Sequence, residues 1–429
     1  VYAGGLVFQQ VFGIKELWGI DFFWIAAIGL VVLTALYTIF GGMKSVLYTS
    51  VLQTPILLLG SLIILVLGFK ELGGWDEMMR VCGAVTVNDY GDTMTNLIRS
   101  NDDANFPWLG ALIGSAIIGF WYWCTDQFIV QRVLSGKNEK EARRGTIFGA
   151  YLKLLPVFLF LIPGMIAFAL HQKYIGAGGE GFLPMLANGT ANADAAFPTL
   201  VAKLLPAGVK GLVVCGILAA LMSSLASLFN SSAMLFTIDF YKKYRPKASE
   251  KTLLYVGRVA TVVVVVLGIL WIPVMKSVGS VLYNYLQDVQ SVLAPGIAAA
   301  FLLGICSKKA TPKGGMWGLI AGFIIGITRL GAKVYYTSGA TFSDSWFKYL
   351  FYDTNWLFFC GGMLLFCMLV IVVVSRFTTP APAEQIVGLT FGSTTDEQRA
   401  VTRASWNKWD VIHSAIIILI TVVFYWYFW

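Results

Sequence analysis

The chain has 429 residues, of which 57% are hydrophobic and only 13% are charged. Soluble domains carry about 25% charged residues, so this chain lacks roughly half of the charged surface that water-soluble proteins have. Its 31 basic and 23 acidic residues give a net charge of +8, which is typical of the basic cytoplasmic loops of membrane proteins. Composition therefore disfavours a soluble enzyme or a nucleic-acid-binding protein, and we predict an integral protein of the lipid bilayer.

In chain order, an apolar segment at 1–14 comes first, and long apolar runs follow it. Each run is long enough to cross roughly 30 Å of hydrocarbon as a helix. The intervening loops 71–107 and 171–207 leave room for short surface helices only. The predicted spanning helices are 20–40, 46–70, 108–130, 144–170, 208–241, 252–273, 278–306, 314–332, 355–375 and 410–429.

Charged residues are distributed unequally between the predicted loops. If the helices alternate in direction, one set of loops holds most of the Lys and Arg residues, whereas the loop 71–107 on the other side is rich in Asp. Because basic loops stay in the cytoplasm, this pattern predicts that 71–107 and the C-terminus lie outside. We expect a multi-pass protein of the plasma membrane, or of the inner membrane in a bacterium. The basic loops are 41–45, 131–143, 242–251, 307–313 and 376–409.

Several predicted helices contain residues that disturb a helix. Pro295 lies in the middle of 278–306, Pro156 lies within 144–170, and the run 108–130 leads into the polar residue Asp126. Such residues usually produce a mild kink. The alternative is a broken helix whose freed backbone groups line a cavity, which is typical of binding sites in transporters.

Lys153 is the most informative single residue. It lies about nine residues, or some 13 Å, into its predicted helix, where a lysine costs about 2.5–3.5 kcal/mol on insertion scales. Its ammonium group could reach the membrane interface, or it could face a wet cavity and bind an acid or a polar ligand. By depth in the membrane, Asp126 and Asp288 are the candidate acidic partners.

Two segments combine aromatic rings with hydrogen-bonding groups. The first, FWYWCTDQ at 120–127, contains Tyr122, Trp123 and Gln127, and the second, YNYLQ at 283–287, has Tyr283 and Gln287 one helical turn apart. A pyranose ring presents apolar C–H faces to aromatic rings and hydroxyl groups to Gln, Asp and Lys. The two segments together therefore indicate a mostly apolar pocket with a few polar groups, which suits a sugar.

Hydroxyl groups cluster in the middle of the apolar run 208–241. Ser223, Ser224 and Ser227 lie in the segment ALMSSLAS at 220–227. Small residues here could serve only helix packing. Two neighbouring hydroxyl groups and a carbonyl such as that of Ala220 also offer neutral oxygen ligands for an alkali cation. Because no carboxylate is present to carry a proton, the pattern favours sodium over a proton as the coupling ion.

Four segments resemble the solute:sodium symporter family, and in particular its sodium/glucose cotransporter branch. They are YTIFGGMKS (37–45), WYWCTDQFIVQR (121–132), LLPAGVKGLVVCGILAALMSSLASLFNSS (204–232) and FLLGICSKK (301–309). The resemblance implies an all-α membrane protein with an inverted-repeat fold of five plus five helices and extra peripheral helices. In a single transmembrane domain, 1–70 would be the end of the first repeat, 108–306 the second repeat and 314–429 the peripheral helices. The first helices of repeat 1 would be missing, so we expect an N-terminally incomplete chain.

The resemblance also implies roles for individual residues. Tyr122 matches the family's inner-gate tyrosine and Trp123 its neighbouring aromatic residue. Lys153 and Gln287 match sugar-binding residues, and Tyr283 falls where an aromatic gate is common. The sodium ligands of the second repeat correspond to Ala220, Ser223 and Ser224.

Three positions depart from the family's pattern. Gly119 stands where relatives have a polar residue that contacts the sugar, which leaves the substrate open. Ser50 stands where members with two sodium sites have an aspartate, and Ala226 replaces a hydroxyl-bearing residue. We therefore expect one sodium site and not two.

The resemblance and the residues together predict a sodium-coupled symporter for a glucose-like monosaccharide, with one sodium ion per sugar and no obligate protein partner. A symporter for myo-inositol or another polyol is the alternative, and a ligand-binding receptor or a channel is a further rival. With His171 and His413 as the only histidines and no nucleophile–base pair or metal cluster in the sequence, an intramembrane enzyme is disfavoured.

Overall fold

The computed structural model describes residues 1–186, 189–278, 282–337 and 345–428, without the side chains of some helical residues, chiefly 40–47 and 274–278. Two-residue strands β1 (Glu16–Leu17) and β2 (Ile20–Asp21) form an antiparallel hairpin, and the other elements are helices. The helices are α1 (Tyr2–Phe12), α2 (Phe22–Leu72), α3 (Trp75–Gly83), α4 (Trp108–Phe120), α5 (Gln127–Leu134), α6 (Glu139–Pro156), α7 (Ile162–Gly176), α8 (Ala196–Leu204), α9 (Ala207–Leu235), α10 (Lys242–Tyr244), α11 (Glu250–Val278), α12 (Leu282–Cys306), α13 (Pro312–Thr337), α14 (Ser345–Lys348), α15 (Trp356–Arg376), α16 (Ala383–Ile386), α17 (Asp396–Ser405) and α18 (Lys408–Tyr427).

Helices long and apolar enough to cross a membrane dominate the described part of the chain, where nine such spans are found. Side-chain caps define several helix starts: the Asp21 carboxylate accepts a hydrogen bond from the amide of Phe23 at the start of α2, and Asn407 and Asp410 form a capping box at the start of α18. The prediction of an all-α membrane protein is confirmed. The short helices α3 and α8 lie in the two long loops, as expected.

One predicted boundary is wrong. The sequence placed a loop at 41–45, but the backbone is helical without interruption from Phe22 to Leu72. Gly41 and Gly42 cost a helix only about 1 kcal/mol each, and the proline in this helix, Pro55, comes ten residues after the predicted loop. At 1.5 Å per residue α2 is about 76 Å long, more than the thickness of one bilayer. The alternation of basic loops relied on a loop at 41–45, so the topology stays a prediction.

The chain divides into two compact units. One contains Val1–Val85 and Leu152–Ser277, and the other contains Thr86–Tyr151 and Val278–Trp429.

In the first unit, α2 and α9 pack closely along an antiparallel line of contacts that we call the serine seam. A Cβ atom on Gly60 would lie 2.5 Å from Val213 Cγ2, and one on Gly216 would lie 3.0 Å from Ile56 Cγ2. Further along the same line the hydroxyl oxygens of Ser50 and Ser223 are 2.5 Å apart. Small residues at these positions let the two helix backbones approach closely.

In the second unit, α12 packs against α13 along a similar antiparallel line, which we call the ion-pair seam. A Cβ atom on Gly326 would lie 2.8 Å from the carbonyl oxygen of Val292, and one on Gly322 would lie 3.2 Å from the Cα atom of Gly296. Asp288 of α12 and Lys333 of α13 continue this line. Helix α15 covers the pair, and the buried core that the three helices share contains Val292, Ala299, Phe359, Met363, Cys367 and Ile371.

Candidate substrate and sodium sites

The aromatic segment of the second unit lies where a helix breaks. After α4 the backbone widens into a π-helical turn, Trp121–Thr125, and it then becomes extended at Asp126. The Asp126 carboxylate accepts a hydrogen bond from the amide of Phe128 and so caps the new helix α5. Here the broken helix is found and not the mild kink. Tyr122 and Trp123 lie in the wide turn, and Gln127 is the first residue of α5.

Helix α12 carries Tyr283 and Gln287 beside this broken helix. Ala294 and Ala298 of α12 pack against Ile117 and Ile118 of α4, with Trp121 at the edge of the cluster. Gln287 precedes Ala294 by two helical turns, so it lies on the face of α12 that meets α4 and the wide turn. The structure therefore brings Gln287 onto an element that packs against the one holding Tyr122 and Trp123.

The loop before α4 contributes to the same region. The side chain of Asp103 is 4% exposed, and its carboxylate accepts hydrogen bonds from the amides of Asn105 and Phe106. Burial alone would raise the pKa of Asp103, but these hydrogen bonds and one from Asn88 outweigh it, so the pKa lies below its ordinary value. The loop thus holds the Phe106 ring, whose centroid is 6.3 Å from that of Tyr283.

Gln287 has an unusual environment for an amide. Its Oε1 atom is buried and has no hydrogen-bond partner among the described residues. A buried amide oxygen without a partner costs about 1–3 kcal/mol. Such an atom is therefore a candidate for binding a hydroxyl group of a ligand. The sequence identified Gln287 by its type and spacing, whereas only the structure reveals that its oxygen has no partner.

Lys153 lies in the last turn of α6, three residues before Pro156, and its side chain is exposed. A π-helical turn, Val157–Leu161, follows the proline. The Asp288 carboxylate binds Lys333 within its own unit, and the pairing of Lys153 with Asp288 stays a prediction. The other candidate, Asp126, caps α5.

The proposed sodium ligands lie in the middle of α9. Ser223 is buried, Ala220 is half-buried and Ser224 is exposed. Ser227, one turn further, is buried, and its carbonyl oxygen accepts a hydrogen bond from the Ser231 hydroxyl. Among the described residues no group of three or more His, Cys, Asp or Glu side chains could hold a metal ion. The carbonyl oxygen of Ala220 and the hydroxyl oxygens of Ser223 and Ser224 are themselves neutral.

Ser50 is a member of this cluster that sequence reasoning set aside. The sequence treated it as a lost ligand of a second site, yet its hydroxyl group lies 2.5 Å from that of Ser223. Its backbone carbonyl also accepts a hydrogen bond from the Thr54 hydroxyl, one turn along α2. Because the contact joins residues 173 positions apart in the chain, no local sequence pattern could have found it.

Two basic side chains that the sequence analysis overlooked, Arg329 and Lys333, approach Asp288, the residue that follows Gln287. The two carboxylate oxygens of Asp288 are 2.9 and 2.8 Å from Lys333 Nζ, and one of them is 3.9 Å from Arg329 Nη2. The side chain of Arg329 is only 1% exposed. Both cations lie on α13, which the sequence analysis treated as a peripheral helix.

A cavity of about 520 Å³ lies elsewhere in the second unit, and none of the predicted site residues lines it. Its walls come from α5, α6, α18 and the residues just before α18. They are Val133, Glu139, Ala142, Arg143, Thr146, Ile147, Trp406, Asp410, Val411 and Ser414. The cavity therefore does not coincide with the region around Gln287.

The chain is similar to known membrane transporters. A family model described as "Sodium:solute symporter family" matches residues 1–322. Sodium/glucose cotransporter 4 of Mus musculus is 36% identical over 402 residues, covering 91% of this chain and 58% of that protein. Sodium/glucose cotransporter 1 of Ovis aries is 38% identical over 390 residues, covering 87% of this chain and 59% of that protein.

A relative with a different named substrate is nearly as similar. Sodium/myo-inositol cotransporter 2 of Homo sapiens is 35% identical over 402 residues, covering 91% of this chain and 58% of that protein. The chain thus spans less than two thirds of the length of these relatives.

A solved structure has the same fold. A Na⁺-coupled sialic acid symporter in a substrate-bound outward-open state matches with a TM-score of 0.64 and 21% sequence identity, covering 89% of this chain and 73% of that one. The likeness confirms the expected inverted-repeat transporter fold.

Proposed function

Because the chain belongs to the sodium:solute symporter family, we propose that it takes up a monosaccharide together with sodium by alternating access. The observation that carries the proposal is the buried Oε1 atom of Gln287, which has no partner among the described residues and lies beside an aromatic-rich helix break. A sugar hydroxyl group would donate a hydrogen bond to this atom. The names of relatives that cotransport sodium with glucose support the substrate class.

In this proposal the substrate binds to aromatic faces and to a few polar groups. Tyr122, Trp123 and Tyr283 would contact the apolar C–H faces of the sugar ring. Gln287 and Gln127 would bind its hydroxyl groups, and the Lys153 ammonium group would donate to a further oxygen. The arrangement combines apolar surface with a few oriented polar groups, as ligand sites in proteins generally do.

Sodium would bind at the hydroxyl cluster of α9. Ala220 would contribute its carbonyl oxygen, and Ser223 and Ser224 would contribute their hydroxyl oxygens. The neutral Ser50 supports one ion per transport cycle, since a second cation in a low-dielectric site needs a carboxylate to neutralise it. Ser50 also lies within hydrogen-bond distance of Ser223 and so belongs to the same cluster.

One sodium ion is sufficient to drive uptake. A sodium ion crossing a potential of about 100 mV releases about 2.3 kcal/mol, and a tenfold concentration gradient adds about 1.4 kcal/mol. Together these terms support roughly several-hundred-fold accumulation of a neutral sugar. Sodium here is a cotransported ion and not a resident cofactor.

Uptake of myo-inositol or another polyol is the second candidate function. The human relative named for sodium and myo-inositol is 35% identical to this chain, against 36% and 38% for the two named for glucose. Gly119, for which a side chain would meet open space, supplies no polar group toward a substrate. A cyclic polyol offers hydroxyl groups of the same kind as a sugar, so Gln287 does not distinguish the two.

Uptake of radiolabelled substrates tests the proposal. The protein, expressed from its complete gene, is supplied with glucose, galactose and myo-inositol, with either sodium or choline in the medium. We expect uptake of glucose or galactose that requires sodium. Sodium-dependent uptake of myo-inositol alone would establish the second candidate, and uptake that is equal in choline would overturn sodium coupling.

Membrane location, orientation and repeat structure are further parts of the proposal. We propose that the protein resides in the plasma membrane, with the loop 71–107 outside and 131–143 in the cytoplasm. Residues 108–306 would form the second repeat of a single transmembrane domain. The excess of basic residues in the proposed cytoplasmic loop supports this orientation.

A further inference from the structure

Three charged side chains meet inside the membrane-spanning part of the second unit. The Asp288 carboxylate accepts two hydrogen bonds from Lys333 Nζ, at 2.9 and 2.8 Å. Arg329 approaches the same carboxylate to 3.9 Å, donates from Nη2 to the carbonyl oxygen of Thr354, and stacks over the ring of Phe359 at 4.1 Å. All three lie toward one end of their candidate spans, Leu286–Cys306 and Pro312–Thr337. Ionisable groups within spanning helices are costly and generally mark functional sites.

The ion-pair seam sets the position of this cluster. Val292 and Gly296 follow Asp288 by one and two helical turns, so all three residues lie on the face of α12 that meets α13. Gly326 and Gly322 bring α13 against that face, because no Cβ atom keeps the backbones apart. The register that the glycines define places Asp288 opposite Lys333.

Pro295 weakens α12, so the N-terminal half of this helix needs a contact from a neighbouring helix to fix its position. Proline has no amide hydrogen, so the carbonyl group of Ser291 lacks its usual helical partner and α12 is weakened between Asp288 and Pro295. The Ser291 hydroxyl group itself bonds back to the carbonyl oxygen of Asp288 at 2.7 Å. A contact from a neighbouring helix is therefore needed to define how the N-terminal half of α12 is rotated about its axis.

We propose that the Asp288–Lys333 ion pair is a positioning device that sets the orientation of Gln287 toward the substrate. Gln287 and Asp288 are consecutive residues of α12, and their side chains point about 100° apart around the helix axis. When Lys333 holds Asp288 against α13, the Gln287 amide is directed to the face that meets α4 and the wide turn. This inference rests on the proposed function and adds two residues that do not touch the substrate.

The Asp288–Lys333 pair suits a clamp better than a binding site, because the two groups satisfy one another. Arg329 is held by its Nη2 bond to the carbonyl group of Thr354 and by the ring of Phe359, while its buried Nε and Nη1 atoms have no partner among the described residues. The side chains of Lys333 and Asp288 are 25% and 24% exposed, so the pair costs less to desolvate than a fully buried one and can still fix the arrangement of the two helices. Removing the charge of one partner frees the N-terminal half of α12 to rotate.

Substrate and sodium kinetics of the complete protein test the inference. Lys333→Gln and Asp288→Asn should each raise the KM for sugar about tenfold, with the half-saturating sodium concentration changed less than about twofold. Lys333→Arg should retain the wild-type KM within about threefold, because it keeps the charge. Lys313→Gln, at the exposed start of the same helix, is the matched control and should change neither value.

The double variant separates a shared role from two independent ones. If the pair acts as one device, Asp288→Asn combined with Lys333→Gln should raise KM no more than the worse single variant. An unchanged KM in both single variants, or a multiplicative effect in the double variant, would overturn the inference. A uniform loss of maximal rate at unchanged KM would also overturn it, since that pattern indicates a general structural defect.

If the charge-removing variants do not reach the membrane, conservative variants replace them. Lys333→Arg and Asp288→Glu are then measured instead, and a tenfold rise of KM in Lys333→Arg contradicts the inference. Failure of the proposed function looks different, because the wild-type protein itself would then show no sodium-dependent uptake of sugar.

Discussion

The serine seam and the ion-pair seam both rely on glycine residues for close packing of two helices, but the polar side chains at their ends differ in charge. In both, glycine residues bring two antiparallel helices into close contact, and a pair of polar side chains continues the line. The serine seam ends in two neutral hydroxyl groups, Ser50 and Ser223. The ion-pair seam ends in the full charges of Asp288 and Lys333.

This difference in charge determines whether a seam is suited to binding a cation or to holding two helices together. A hydroxyl oxygen has two lone pairs and no charge, and we propose that the serine pair contributes such neutral oxygen atoms to a cation site. The ion pair has neutralised itself, and its charges are committed to holding two helices together. Polar groups at membrane depth therefore have to be sorted by whether their bonding capacity is used, and not by charge alone.

The largest expected effect is at the serine seam. Ser223→Ala or Ser224→Ala removes a neutral oxygen from the proposed sodium ligands, so sodium should no longer stimulate uptake of sugar. Uptake at increasing sodium concentration is the measurement. Ser231→Ala, two turns further along α9, is the control, because the Ser231 hydroxyl bonds the carbonyl oxygen of Ser227. Sodium stimulation that survives in both ligand variants would show that sodium binds elsewhere.

The second effect concerns the substrate. Gln287→Ala and Lys153→Ala should each weaken sugar affinity about tenfold or more, since each lost hydrogen bond is worth about 1–3 kcal/mol. The measurement is the KM for sugar at saturating sodium. Gln172→Ala, at an exposed glutamine near the end of α7, should leave affinity unchanged. Normal kinetics of both variants at wild-type expression would remove these two residues from the substrate site.

A third effect tests the packing of the ion-pair seam. Gly326→Ala would place a methyl group 2.8 Å from the carbonyl oxygen of Val292, so we expect a loss of about 1–3 kcal/mol in the free energy of unfolding. Gly331→Ala, on the same helix and facing open space, should be neutral or slightly stabilising. Thermal unfolding of the purified variants compares them. Equal stability of the two variants would mean that α12 and α13 do not approach so closely.

The smallest effect on transport is expected from cysteine variants that reveal on which side of the membrane a loop lies. Cysteine at Asp102 or at Ser135, both exposed, should leave uptake unchanged. An impermeant thiol reagent applied to intact cells should label the Asp102 position only, above the background of the unsubstituted protein. Labelling of the Ser135 position from outside would reverse the proposed topology.

Much of the helical framework was predictable because spanning a bilayer requires long apolar runs. Helices α15 and α18 begin and end close to their predicted bounds, and α9 and α13 begin close to theirs. The break after α4 was foreseen as an alternative, because the apolar run leads into polar Asp126; the structure adds that Asp126 caps α5. The predicted loop at 41–45 was wrong, since basic residues and glycine do not by themselves end a helix.

The candidate sites were predictable only in part. Residue type and family resemblance identified Gln287, Ser223 and Ser224 from the sequence. The contacts between Ser50 and Ser223 and between Asp288 and Lys333 join distant parts of the chain. Such pairs depend on the register of two packed helices, which no periodicity in one helix determines.

The number of sodium ions per sugar tests the central claim of a single neutral sodium site most directly. The reversal potential of sugar-coupled current, measured in proteoliposomes with defined gradients of sodium and sugar, gives this ratio without a kinetic model. We predict one sodium ion per sugar in the wild-type protein, since Ser50 supplies no negative charge beside Ser223. Ser50→Asp is the converse test, although a carboxylate at this position could bind a proton instead of a second ion. A ratio of two sodium ions per sugar in the wild-type protein would contradict the account.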